Sequence, residues 1–143
     1  MWFKNFFRWY KSYGKWGIVI TQVSFKIYHN PRCSKSRKVL EILNSKTKNF
    51  EVIKYLEDKI DIIELKSILN LNKISKDKII RTNETSYKEL KLSKKDLSKD
   101  EIINYIVKFP ILLQRPLICK YQSNKLVQTV IGRPPETVLN LFD

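Results

Sequence analysis

The sequence predicts a mixed α/β domain, a βαβ half and a ββα half separated by an all-helical insertion. Three observations predict it. An alternating apolar segment (Val23, Phe25, Ile27) runs through a short polar turn into an amphipathic one (Val39, Leu40, Ile42, Leu43). Apolar residues then recur at helical spacing between about residues 61 and 109. Two further apolar runs, 117–121 and 126–131, flank a Ser123-Asn124 turn and precede Pro134-Pro135-Glu136.

Each element has its own signal. Residues 23–28 alternate as a half-buried strand does. Residues 34–45 carry apolar side chains on one helical face, and Phe50 to Tyr55 reads as a second strand after a turn at Lys48-Asn49. Strand, helix, strand at this spacing is a βαβ unit, for which parallel pairing is expected. Within the insertion, Leu65, Ile68 and Leu69 share one helical face, and Ser98 with Glu101 forms a capping box ahead of Ile102, Ile103, Ile106 and Val107. The last helix opens at Pro134-Pro135-Glu136, where proline is tolerated and an acid suits the helix dipole, and ends on Val138, Leu139, Leu141 and Phe142. This order of elements is the thioredoxin layout with a helical insertion.

A chain of 143 residues, 43% hydrophobic and 29% charged, holds one soluble domain with a core of its own. Two distant cysteines, Cys33 and Cys119, form no secreted disulfide framework and point to a reducing cytoplasm. With a single histidine they offer no zinc-site spacing. The net charge of +14 is concentrated early, because nine bases precede the first acid, Glu41. Later bases are mostly lysines interleaved with acids, a pattern of solvated helix faces, so nucleic-acid binding is not expected. A monomer is.

Residues 1–22 stand apart as a basic, aromatic extension. Trp2, Trp9 and Trp16 recur every seven residues. On a helix, Lys4, Arg8, Lys11 and Lys15 form a stripe opposite Phe3, Phe6, Phe7, Tyr10 and Tyr13. A basic helix with an aromatic face suits weak contact between residues 1–16 and a membrane surface. An extension without a folded role is the alternative. No secretory cleavage site follows, and Ile18 to Ile20 is too short to span a bilayer.

Cys33 carries the chemistry. It lies in Tyr28-His29-Asn30-Pro31-Arg32-Cys33-Ser34-Lys35-Ser36-Arg37, at a strand-to-helix turn. A thiol there faces unpaired backbone N–H groups and the positive end of the helix dipole, which favour the thiolate. Arg37 follows four residues on, and the only histidine, His29, precedes by four. Three more arginines, Arg81, Arg115 and Arg133, stand out among lysines, and two directly precede proline, at element boundaries. Guanidinium binds tetrahedral oxyanions through paired hydrogen bonds that lysine cannot imitate.

These motifs, Tyr-His-Asn-Pro-x-Cys-x-x-Ser-Arg at 28–37 with Arg81, Arg115-Pro116 and Gly132-Arg133-Pro134-Pro135-Glu136, resemble those of the glutaredoxin-coupled arsenate reductases. The resemblance runs from about Val23 to the C-terminus, a domain of residues 23–143. It implies that the Cys33 thiolate attacks arsenate to give an arsenylated cysteine. It assigns oxyanion binding to Arg81, Arg115 and Arg133, the anion-cradling turn to Asn30, Ser36 and Arg37, and tuning of the thiol to His29. Glutathione would be the co-substrate and glutaredoxin the partner, with no bound cofactor and no second catalytic cysteine. Cys119, mid-strand, reads as a packed residue. A cis Pro116 is implied by the resemblance alone.

Sister proteins with Cys-x-x-Cys at this turn bind RNA polymerase as redox regulators. Ser36 holds the second position here, so no local disulfide can form, although polymerase binding without redox sensing stays open. The Cys-x5-Arg loop of phosphatase-derived arsenate reductases is absent, since position 39 is Val39. A thiol oxidoreductase of the same family with another substrate is a third possibility.

Overall fold

The computed structural model describes residues 8–12, 15–19, 21–71 and 73–143. An antiparallel hairpin comes first, β1 (Arg8–Ser12) with β2 (Lys15–Val19), Ser12 pairing with Lys15. This corrects the helix expected over residues 1–16 wherever those residues are described; residues 1–7 and 13–14 lie outside the described residues. The physical reason is composition. Aromatic and β-branched residues (Trp9, Tyr10, Trp16, Ile18, Val19) favour strands, and Gly17 disfavours a helix.

The domain itself begins with β3 (Val23–Tyr28), followed by α1 (Ser34–Lys46) and β4 (Phe50–Ile53). The insertion holds α2 (Ile62–Asn70), α3 (Lys76–Ile79), α4 (Thr85–Glu89) and α5 (Lys99–Lys108). Strands β5 (Leu117–Gln122) and β6 (Lys125–Ile131) and a 3-10 helix (Pro135–Phe142) complete it. The sheet order is β4-β3-β5-β6, with β3 parallel to β4 and the other pairs antiparallel. The thioredoxin-like layout with a helical insertion is therefore observed. Among the described residues no helix is long and apolar enough to cross a membrane.

Local chemistry sets most boundaries. Asp61 caps α2 by accepting the Ile63 and Glu64 N–H groups, and the Ser98/Glu101 capping box opens α5 as expected. Ser123 and Asn124 take positive φ (48° and 63°), the backbone of a two-residue hairpin turn. Strand β4 stops short of Tyr55 because the chain turns there: the Lys54 carbonyl accepts the N–H groups of Glu57 and Asp58, and Asp58 caps the Lys54 N–H. The C-terminal helix is 3-10, an outcome suited to the three-residue spacing of its buried pair, Val138 and Leu141.

Alternation splits the core across the sheet. Phe25, Ile27 and Ile118 pack with Val39 and Leu43 of α1 and with the C-terminal helix. Tyr28, Leu117 and Cys119 face the other way, onto Leu65, Ile68, Ile103 and Ile106 of the insertion. Both faces are thus covered, so the strand ends are left as the place for a site.

Candidate active site

Sheet register decides what meets at one end of the sheet. Tyr28 pairs with Leu117, and Leu117 pairs with Ile131. The end of β3, the start of β5 and the end of β6 therefore lie side by side. Whatever follows Tyr28, precedes Leu117 and follows Ile131 is brought together: the 29–33 turn, Arg115-Pro116 and Gly132-Arg133. Both Arg115-Pro116 and Arg133-Pro134 are cis. The first agrees with the implied cis Pro116; the second was not foreseen. Gly132 is required by close approach, because a Cβ there would sit 2.6 Å from Val39 Cγ2 and 2.8 Å from Pro116 Cγ.

The insertion supplies the third arginine. Ile80 bridges Leu113, Gln114 N–H donates to the Ile79 carbonyl at 2.7 Å, and Arg81 N–H donates to the Leu112 carbonyl at 2.8 Å. Arg81 is thereby stitched to the segment leading into Arg115.

Cys33 is the N-cap of α1, in extended backbone geometry (φ −90°, ψ 119°), and is part-exposed. No acid occupies the first turn of α1. Arg133 donates through Nε to the Arg115 carbonyl at 2.7 Å and places Nη2 3.8 Å from Cys33 Sγ. Burial works against ionising the thiol. The Ser36 and Lys35 backbone N–H groups, the Arg133 charge and a contact from Arg115 outweigh it, and the thiol titrates below the ordinary cysteine value.

The turn beneath is held by a buried network. The Ser36 hydroxyl is wholly buried, accepts the Asn30 N–H at 3.0 Å and lies 2.7 Å from His29 Nδ1. A hydroxyl can accept twice and donate once, so the Ser36 oxygen serves the Asn30 N–H and His29 Nδ1 together. Burial, followed by the charge of Lys54, lowers the His29 pKa and so favours the neutral ring. Asn30 Oδ1 accepts the Arg32 N–H at 3.0 Å. Arg37 donates to the Pro31 carbonyl at 2.8 Å. The sequence-derived set thus divides. Cys33, Arg115 and Arg133 converge, Arg81 stands at the rim, and His29, Asn30, Ser36 and Arg37 shape the turn, with His29 meeting the thiol only through Ser36.

Comparisons with known proteins can be set against this geometry. A family model described as the ArsC family matches residues 28–141. This chain belongs to the ArsC family. A Neisseria meningitidis arsenate reductase is 39% identical over 114 residues, covering 79% of this chain and 93% of the relative. The uncharacterised Escherichia coli protein YfgD is 40% identical over 117 residues, covering 81% of this chain and 94% of YfgD. The solved structure of an arsenate reductase from Vibrio cholerae superposes with a TM-score of 0.71 at 37% identity, covering 83% of this chain and 98% of that one.

In this ArsC-family chain, sequence reasoning missed three residues at the site. Glu84 accepts from Arg81 Nε at 2.6 Å and lies 3.6 Å from Arg115 Nη1, an ion-pair contact to both. Its signal was its place three residues after Arg81. Gln114 Oε1 accepts from Arg81 Nη1 at 3.2 Å. Tyr55 is fully buried beside Arg115; burial raises its pKa, and the Arg115 and Arg81 charges oppose that. The Tyr55 hydroxyl and Arg115 Nε have no hydrogen-bond partner among the described residues. Buried donors without partners are costly.

Proposed function

We propose that this chain reduces arsenate to arsenite at Cys33, with glutathione and glutaredoxin returning the cysteine to its thiol form. The observation that carries the reading is the guanidinium pair at the sulfur: Arg133 Nη2 lies 3.8 Å from Sγ, and Arg115 stands beside it with an unpartnered Nε. The Neisseria and Vibrio relatives bear the name arsenate reductase, which supports the choice of oxyanion. Two free thiols suit a reducing cytoplasm.

In the first step the Cys33 thiolate donates its electron pair to As(V) and one As–O bond breaks. That oxygen leaves as hydroxide and takes a proton to become water. Charge on the remaining oxygens faces Arg115 and Arg133, which are already in place and need little reorganisation. Arg81 closes the rim. A glutathione thiolate next attacks the Cys33 sulfur. The S–S bond forms, the S–As pair passes to arsenic, and As(III) departs as arsenite. A glutaredoxin thiolate then takes the glutathionyl group and frees Cys33.

With glutathione, glutaredoxin and an NADPH-linked recycling system, the protein is expected to consume NADPH when arsenate is added. Cys33→Ser abolishes this consumption, and Cys119→Ser retains most of it. Turnover by Cys33→Ser removes the nucleophile from the scheme. A family thiol oxidoreductase with a substrate other than arsenate is the second reading.

A further inference from the structure

The proposed reduction needs electrons that this chain cannot supply alone. Cys33 is part-exposed, but Cys119 is fully buried, and burial followed by the Glu64 carboxylate holds its thiol far above the ordinary range. An external thiol must therefore reach the Cys33 sulfur. Beside the site lies a cleft of about 590 Å³, between the α3 side of the insertion and the end of β6. Arg81, Gln114 and Arg133 line it and belong to the site as well. Lys73 and Lys78 also line it, both exposed and without an ion pair among the described residues. Asp77 is the one acid lining it. Thr129 borders it, 3% exposed, with a hydroxyl that finds no partner among the described residues.

We propose that this cleft seats the external reductant, a small thiol that carries carboxylates. Its acidic groups rest on Lys73 and Lys78, and its thiol enters past Arg133 toward Cys33. The assignment rests on the thiol-dependent reading above. Arg81 is paired with Glu84, but Lys73, Lys78 and Arg133 still outnumber Asp77, which favours an anionic ligand, and the volume lies within the range of small-molecule sites. The oxyanion seat proposed between Arg115, Arg133 and Sγ adjoins the cleft through Arg133.

The test is calorimetric titration of the full chain with S-methylglutathione, a thioether that cannot exchange. Saturable binding is expected. Lys73→Glu/Lys78→Glu should weaken it about tenfold, and Lys78→Gln by a smaller factor. Both lysines are exposed, so the variants keep the fold, which far-ultraviolet circular dichroism checks. Failure of the native chain to bind the probe overturns the proposal, as does unweakened binding in the folded variants. The probe needs neither arsenate nor turnover, so the two readings separate. Charge-dependent binding without arsenate turnover supports the cleft and overturns the arsenate reading. Arsenate turnover with charge-independent binding overturns the cleft alone.

Discussion

The reactivity proposed for Cys33 rests on neighbours that the fold itself holds in place. The Ser36 side chain is spent entirely on the turn, holding His29 Nδ1 and the Asn30 N–H, while its backbone N–H supports the thiolate. Ser36→Ala would leave both partners buried and unpaired. A loss of about 2 kcal/mol is expected in urea denaturation. Unchanged stability would show that the network does not hold the turn. At this scale the sequence was informative where chemistry is local: a thiol at a strand-to-helix turn and arginines before prolines are visible in a few residues. Glu84 and Tyr55 were harder, because a carboxylate or a phenol gains meaning only from the guanidinium it meets in space.

Among the elements, α2 is anchored to the sheet by one carboxylate. Glu64 accepts from the hydroxyls of Tyr28 on β3 and Tyr121 on β5, and pairs with Lys26 at 2.8 Å. Burial opposes its charge, but Lys26 and the two tyrosines outweigh burial and hold its carboxyl below the ordinary value. A carboxylate with a lowered folded pKa stabilises the fold fully above its unfolded pKa, about 4.3, and loses that contribution as pH falls through the folded value. Glu64→Gln should therefore cost about 2 kcal/mol at neutral pH and flatten the acid-side decline in urea titrations. A variant with the native acid slope would contradict this. The partners lie 36 and 57 residues from Glu64, so nothing local announced them. By contrast, β3, α1, β5, β6 and the capping box of α5 were legible, since periodicity, turns and caps are short-range. The hairpin at 8–19 was misread because bases at 4, 8, 11 and 15 mimic a helical stripe, whereas pairing between two strands leaves no such mark.

At the scale of the molecule, one register brings distant segments to the sheet end, and the insertion adds Arg81 to them. The family match begins at residue 28 and the first strand of the sheet at Val23. Removal of residues 1–20 should thus leave a cooperatively folding domain with its thermal midpoint nearly unchanged, as read by circular dichroism. Loss of the cooperative transition would make the hairpin part of the fold. The convergence itself is tested most directly by titrating Cys33 through the pH dependence of its alkylation by iodoacetamide, in a Cys119→Ser background. The midpoint should fall below the ordinary cysteine value of about 8.5 and rise when Arg133 is replaced by alanine. A midpoint at or above that value, unmoved by Arg133→Ala, would contradict an anion site built around the thiolate.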